Sequence, residues 1–158
     1  MKKSGFSLIE LMIVVAIMGF LAMLAVPNFM RFLAKAKRAE AYMNLSSIYA
    51  AEKAYFAEHG TYSTVLNGQG GVGWKPEGYN GGGKNEKIYY TYGFSGAEGS
   101  NNFSGKLEGG SAGLSRSKAD NQGFVAVASG DIDGDGVADI ITVDQNNNIT
   151  IVQDDLAD

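Results

Sequence analysis

The sequence predicts an α+β fold in which one long N-terminal helix packs against a C-terminal antiparallel β-sheet of about four strands. Three observations predict this arrangement. Residues 6–26 are almost all apolar, residues 28–58 carry apolar side chains at spacings of three and four, and segments rich in aromatic and β-branched residues begin at Lys87. A chain of 158 residues has room for one modest domain beside such a helix.

The first apolar run is long enough to cross a membrane. At about 1.5 Å of rise per residue, residues 6–26 make a helix of roughly 31 Å, close to the thickness of the hydrocarbon core of a bilayer. Lys2 and Lys3 precede the run, and Glu10 is the one charge inside it. A carboxylate at that depth costs on the order of 2.5–3.5 kcal/mol, so its presence indicates a specific role.

The start of this run carries a family resemblance. Residues 5–15, GFSLIELMIVV, closely resemble the N-terminus of type IVa pilins, whose precursors carry a class III (prepilin) signal. Residues 51–63, AEKAYFAEHGTYS, also resemble type IVa pilins at the end of the predicted long helix and favour a true pilin. The resemblance implies that a prepilin peptidase cuts between Gly5 and Phe6 and that the new amine of Phe6 is methylated. It also implies that Glu10 guides assembly by pairing with the N-terminal amine of a neighbouring subunit, which agrees with the need of a buried carboxylate for a partner.

The same resemblance implies where the protein resides and what it binds. The precursor is expected in the bacterial inner membrane with its head outside, and the pilus assembly machinery then adds it to a helical homo-oligomeric filament, an extracellular pilus (fimbrium) for motility and adhesion. This orientation follows from the resemblance and not from charge. Four cations follow the apolar run and outnumber the two before it: Arg31, Lys35, Lys37 and Arg38.

Gly19 and Pro27 interrupt the helical pattern of the apolar run. Glycine costs about 1 kcal/mol in a helix interior, and proline removes the hydrogen bond to the carbonyl of Met23. The resemblance favours a segment between them that kinks or unwinds during assembly. The alternative is that Gly19 lets another helix approach closely and that Pro27 marks the exit from the bilayer.

Five segments make up the predicted organisation of the chain. They are a cleaved leader (1–5), a transmembrane and filament-core helix (6–27), an amphipathic helix (28–59) that ends before Gly60, a Gly-rich αβ-loop (60–86) and a β-sheet head (87–158). Within the head, strands are expected at 87–94, 102–107, 123–128, 138–144 and 148–153, with a loop at 109–121 and a hairpin turn at 145–147. Trp74 and Tyr79 are expected to anchor the αβ-loop to the domain; the alternative is that they are exposed contacts for a neighbouring subunit.

Composition argues against several classes of function. The formal net charge is −4, and removal of residues 1–5 would leave 11 basic against 17 acidic side chains, so no intrinsic nucleic-acid site is evident. There is no cysteine, and the one histidine, His59, has no catalytic or metal-binding partner near it in sequence. With no nucleophile–base pair, the sequence predicts no enzyme and no catalytic site.

Residues 131–139 of the head match the first half of a calcium loop. Acidic residues occupy positions 1, 3, 5 and 9, and glycine occupies position 6, where the loop turns sharply. The candidate ligands are the carboxylates of Asp131, Asp133, Asp135 and Asp139 and the carbonyl of Val137. Position 12 is Thr142 where a bidentate Glu is usual, and the flanks are strand-like, so the loop is not an EF-hand. The alternative is a Gly/Asp-rich turn with no ion, although residues 120–158 contain nine aspartates and no Lys or Arg.

Other classes of protein fit parts of the N-terminus. A minor pilin or a pseudopilin of type II secretion shares it. An ordinary secretory signal also combines basic residues with an apolar region, and 22–26 offers a small-residue cleavage site. A membrane-anchored, calcium-dependent binding domain that never polymerises is a further alternative, but an anchor requires neither Glu10 nor the Gly5–Phe6 junction. No cofactor other than the candidate calcium ion is expected.

Overall fold

The structure, a computed structural model, describes residues 5–157. Within those residues lie one helix, α1 (Leu8–His59), and one antiparallel sheet with the strand order β2-β1-β4-β5-β6 and β3 paired to β4. The strands are β1 (Thr91–Gly93), β2 (Asn102–Phe103), β3 (Lys118–Ala119), β4 (Phe124–Gly130), β5 (Asp139–Asp144) and β6 (Ile149–Gln153). The predicted α+β class is confirmed. The chain divides into two units, the first ending at Leu33 and the second running from Ala34.

The first unit is the apolar part of α1. Long apolar side chains from Phe6 to Leu33 are exposed, and α1 contains an 18-residue window with a mean hydropathy of 2.6 that has no buried residue. By length and composition, this helix can cross a membrane. It continues without a break through Gly19 and Pro27, so the unwinding of this segment during assembly stays a prediction.

The second half of α1 packs against the sheet through one stripe. The buried residues of α1 recur at spacings of seven, four, three and four, as an amphipathic helix requires; they are Ala34, Ala41, Leu45, Ile48 and Glu52. Opposite them lie fully buried aromatic side chains of the head: Tyr90, Tyr92, Phe94, Phe103 and Phe124. The helix ends at His59 because Gly60 takes a left-handed φ of 71° and donates its N–H to the Phe56 carbonyl at 2.8 Å. The predicted C-cap is confirmed.

Two aromatic side chains fix the Gly-rich segment after α1. Trp74 lies edge-on to Tyr92 and Phe103, with ring centroids 6.3 and 5.7 Å apart. Its indole N–H donates to Ser47 Oγ on α1 at 2.7 Å. Tyr79 lies edge-on to Phe103 at 4.9 Å. The prediction that Trp74 and Tyr79 anchor this segment is confirmed.

Strand boundaries differ from the prediction in the first part of the sheet. The strand expected at 87–94 is reduced to β1, because the preceding carbonyls of Ile88 and Tyr89 accept from the backbone of 106–107 and the Tyr89 N–H donates to Glu40 on α1. The segment 109–121, expected to be a loop, contains a 3-10 turn (Leu114–Arg116) and β3. The sheet therefore has six strands, three of them very short, in place of about four.

The hairpin at the end of the sheet agrees with the prediction. β5 and β6 pair antiparallel around residues 145–147, and Asn147 takes a positive φ of 62°. Asp144 closes the turn, because its Oδ1 accepts the N–H groups of Asn146 and Asn148 at 2.8 and 3.0 Å. The hairpin places the start of β5 beside the end of β6, with Ile140 opposite Gln153.

Charged side chains of α1 tie the helix to the head. Arg38 donates to both carboxylate oxygens of Asp139, at 3.1 and 2.7 Å, and to Asp154 at 2.5 Å. Asp139 is fully buried and also accepts from the Tyr90 hydroxyl at 2.7 Å. Burial lowers the pKa of Arg38, but the hydrogen bonds and charges of Asp154 and Asp139 outweigh it and hold that pKa above its ordinary value. Burial and the adjacent Asp139 carboxylate raise the pKa of Tyr90.

Arg38→Met tests this ion pair. The substitution keeps the aliphatic bulk but leaves the buried Asp139 carboxylate without a cation, so we expect the free energy of unfolding to fall by roughly 3–5 kcal/mol. Lys35→Met, which removes an exposed cation one turn earlier, should cost less than about 0.5 kcal/mol. Urea denaturation of the full chain in detergent measures both. Equal losses in the two variants would contradict the assigned role of Arg38.

Glu52 is a carboxylate in the buried stripe of α1. Its Oε2 accepts the Ser63 N–H at 3.1 Å, and its Oε1 has no partner among the described residues. Burial raises the pKa of Glu52 from an ordinary 4.5 to about 7, against the opposing effect of the Ser63 hydrogen bond. The folded protein therefore retains this proton at pH values where the unfolded chain has lost it. The resulting stabilisation is complete below about pH 4.5 and is lost as the pH rises through about 7.

Glu52→Gln should remove that pH dependence. We expect the free energy of unfolding of the variant, relative to that of the wild type, to increase by about 1.4 kcal/mol or more as the pH rises from 5 to 8. Each unit of pKa shift corresponds to about that energy. Glu58→Gln, on the exposed end of the same helix, is the control and should follow the wild type. Urea denaturation at the two pH values gives the comparison. Parallel pH profiles for wild type and Glu52→Gln would show that Glu52 is not protonated in the folded state.

Candidate functional site

The predicted processing junction lies just before α1. The first four residues of the predicted leader lie outside the described residues. Gly5 and Phe6 precede the helix in irregular backbone, and Phe6 is 81% exposed. A Cβ added at Gly5 would meet nothing within 4 Å, and its φ is not left-handed. The packing of the described residues therefore gives no reason for glycine at this position, which is compatible with a requirement imposed by an external partner.

Gly19 raises the same question inside the helix. A Cβ there would also meet nothing within 4 Å, although glycine costs about 1 kcal/mol relative to alanine in a helix interior. Nothing in the described part of the chain compensates that cost. A small residue on an exposed apolar helix is what close packing against another helix requires.

Glu10 has a local role that the sequence analysis missed. Its Oε2 accepts the Ser7 N–H at 2.8 Å, and the Ser7 Oγ accepts the Glu10 N–H at 3.4 Å. This reciprocal pair is a capping box, and the Ser-x-x-Glu spacing ahead of an apolar run is its sequence signal. Glu10 thus stabilises the start of α1 within one chain, in addition to any role between subunits.

The loop between β4 and β5 forms a second candidate site. One carboxylate oxygen from each of four residues lies within 4.8 Å of the other three: Asp131, Asp133, Asp135 and Asp155. The structure thus brings together three of the predicted acidic ligands and adds Asp155. Asp139 is not part of this group. It lies at the start of β5, where Arg38 and the Tyr90 hydroxyl bind its fully buried carboxylate. Thr142, at position 12 of the motif, lies within β5.

Short-range hydrogen bonds shape this acidic loop. Asp131 accepts the N–H groups of Gly134 and Gly136 at 2.6 and 2.8 Å, one on each oxygen. Asp133 accepts from Asp135, whose own carboxylate accepts the Val137 N–H at 2.7 Å. Gly134 and Gly136 take left-handed φ values of 91° and 94°, so glycine at position 6 makes the sharp turn that the motif predicted.

Asp155 reaches the loop from the segment that follows β6. Its carboxylate is buried, its Oδ2 accepts the Ile132 N–H at 2.8 Å, and its Oδ1 has no partner among the described residues. Burial raises the pKa of Asp155 to about 6, and the charges of Asp133 and Asp131 add to the effect. A local motif could not reveal Asp155, because it lies 24 residues after Asp131. The predicted hairpin did indicate its position, since a hairpin of β5 and β6 places the residues after β6 near the start of β5.

Comparison with known proteins supports the N-terminal assignment. Residues 1–26 match the family model of the prokaryotic N-terminal methylation motif. The chain is 49% identical over 76 residues to the type IV major pilin protein PilA of Myxococcus xanthus (strain DK1622), across 48% of this chain and 33% of that protein. It is 44% identical over 71 residues to the fimbrial protein EcpB of Eikenella corrodens, across 45% of this chain and 44% of that protein. It is also 33% identical over 75 residues to the type II secretion system core protein G of Dickeya chrysanthemi, across 48% and 49% of the two chains.

These matches span between a third and a half of each relative. The three names describe a pilin, a fimbrial protein and a secretion-system component, and none describes an enzyme. The resemblance inferred from residues 5–15 is confirmed by the match to the methylation motif and by these relatives. The chain therefore carries a prokaryotic N-terminal methylation motif, has an α+β fold with one long helix and an antiparallel sheet, and is similar over about half of its length to a type IV major pilin and to a fimbrial protein.

Proposed function

We propose that this protein is the structural subunit of a type IV pilus and polymerises through its N-terminal helix into a surface filament for motility and adhesion. The observation that carries the proposal is the exposed apolar first unit, most of which lies within the methylation motif matched over residues 1–26. Such a surface needs lipid before assembly and the helices of other copies afterwards. The glycine at position 19, unexplained within one chain, suits the second environment.

The proposed maturation acts on the junction before α1. Hydrolysis of the Gly5–Phe6 peptide bond by water releases residues 1–5 and leaves a new amine on Phe6. This amine then takes a methyl group from a sulfonium methyl donor, which leaves as a thioether, and loses a proton. Glu10 lies within one helical turn of that amine and offers a carboxylate to the amine of a neighbouring subunit. Within the filament, burial of apolar surface and this charge pairing are the favourable terms.

A minor pilin or a type II secretion pseudopilin is the second candidate function. The 33% identity to a type II secretion system core protein G favours it, and the N-terminal motif does not separate the classes. What separates them is the composition of the fibres. A membrane anchor that never polymerises is the third candidate, and for it the capping box would be a sufficient reason for Glu10.

The intact mass of protein in fibres sheared from the cell surface tests the proposal. We expect the dominant species to begin at Phe6 and to carry one methyl group. If the processed protein stays in the envelope while another subunit fills the fibres, it is a minor pilin or a pseudopilin. If most of the protein retains residues 1–5, the maturation step is wrong and the anchor function takes its place.

Substitutions at the capping box separate the two roles of Glu10. Glu10→Gln keeps an acceptor for the Ser7 N–H but removes the charge, whereas Ser7→Ala removes half of the capping box and keeps the charge. We expect Glu10→Gln and Glu10→Ala to lose nearly all surface fibres and Ser7→Ala to retain them, at equal membrane levels of the protein. Electron microscopy and immunoblots of sheared fractions measure this. Abundant fibres in Glu10→Gln would show that the charge is dispensable for assembly.

A further inference from the structure

The acidic loop belongs to a group of four carboxylates that has no role in the proposed filament function. Carboxylate oxygens of Asp131, Asp133, Asp135 and Asp155 converge within 4.8 Å of one another. Two lysines, Lys37 and Lys106, line the cleft beside Asp131 and Asp133. The Lys37 ammonium donates to the Ile132 carbonyl at 2.5 Å, and Arg38 is bound to Asp139 and Asp154. None of the four carboxylates forms a salt bridge within residues 5–157, so two lysines at the cleft face four negative charges.

Asp155 supplies an independent observation. It is 2% exposed, and its Oδ1 has no hydrogen-bond partner among the described residues. A buried carboxylate oxygen without a partner costs free energy, because it has left water and gained nothing in return. Since Asp155 belongs to the same group as the three loop aspartates, a cation held by that group would supply the missing partner.

We propose that Asp131, Asp133, Asp135 and Asp155 form a calcium site that clamps the segment after β6 onto the loop between β4 and β5. Calcium binds oxygens at about 2.3–2.6 Å, so two ligands on opposite sides of one ion lie at most about 5 Å apart. The observed limit of 4.8 Å fits that geometry. Asp133 and Asp135 lie on the exposed side, where water completes the six to eight oxygens that calcium takes.

The hydrogen bonds of the loop are compatible with this ligand set. The bonds from Gly134 and Gly136 to Asp131 hold its carboxylate in place and leave a lone pair free on each oxygen. The bond from the Ile132 N–H fixes Asp155 through Oδ2 and leaves Oδ1 for the ion. The sequence motif takes its fourth carboxylate from Asp139, whereas in this group the fourth carboxylate comes from Asp155, 24 positions after Asp131.

Asp155→Asn makes the proposal testable on the full chain in detergent. Asparagine keeps an acceptor for the Ile132 N–H and removes one negative charge from the group. In EDTA, we expect the melting temperature of the variant to equal or exceed that of the wild type, because repulsion is reduced. In millimolar CaCl₂, the wild type should become the more stable of the two, since a bound ion stabilises the folded state by mass action.

Isothermal titration with CaCl₂ measures binding directly. We expect one site per chain in the wild type and a weakening of at least about tenfold in Asp155→Asn and in Asp133→Asn, whose side chain is exposed and carries little risk to folding. Glu108→Gln, an exposed acidic neighbour outside the group, is the control and should bind like the wild type. MgCl₂ is titrated in parallel and should bind more weakly, because magnesium demands a stricter octahedral geometry.

Two results would overturn the site. One is a wild-type chain that neither binds Ca²⁺ in the titration nor changes its melting temperature between EDTA and CaCl₂. The other is binding that persists unchanged in both Asp155→Asn and Asp133→Asn, which would place the ion elsewhere. Neither result bears on the filament function, because the fibre mass and the Glu10 variants report on a different part of the chain.

Discussion

The buried ion pair between Arg38 and Asp139 is the constraint on which the packing of the head depends. Asp139 is withdrawn from water at the start of β5, where a lone carboxylate would be strongly unfavourable. Arg38 from α1, the Tyr90 hydroxyl and, at 3.4 Å, the Asp155 N–H compensate it, while the same guanidinium also holds Asp154. Helix, sheet and the segment after β6 must all reach their places before this charge is satisfied, so the pair fixes the register of α1 on the sheet.

The first unit poses the opposite problem, because its apolar surface has nothing in the described chain to bury against. Its large side chains are exposed from Phe6 to Leu33, and contact between such a large apolar area and water is strongly unfavourable. In the proposed function, this surface contacts lipid first and other protein helices later, and a helix that satisfies its own backbone groups suits both environments. Gly19 costs helix stability and makes no close packing contact among the described residues, and the close approach of a second helix, as proposed, would compensate that cost.

Local signals in the sequence predicted most of the fold. The period of α1, the cap at Gly60 and the turn at 145–147 each depend on neighbouring residues, and each is observed where expected. The differences between the prediction and the structure depend on long-range pairing. Asp139 matched a ligand position locally, but its partner Arg38 lies 101 residues away. The short strand β3 forms in a polar stretch only because β4 pairs with it.

The two adjacent aspartates after β6 show how a chain without cysteine can hold its last strand in place. Asp154 accepts from the Arg38 guanidinium on α1, and Asp155 accepts from the Ile132 N–H in the acidic loop. These two consecutive residues therefore bind two different elements. Asp154 receives its positive charge from the helix. Within residues 5–157, Asp155 forms no salt bridge, although it lies among three other aspartates. If a dication meets that need, as proposed, calcium takes the place that a disulfide has in many secreted domains, with the difference that this crosslink can be removed by a chelator.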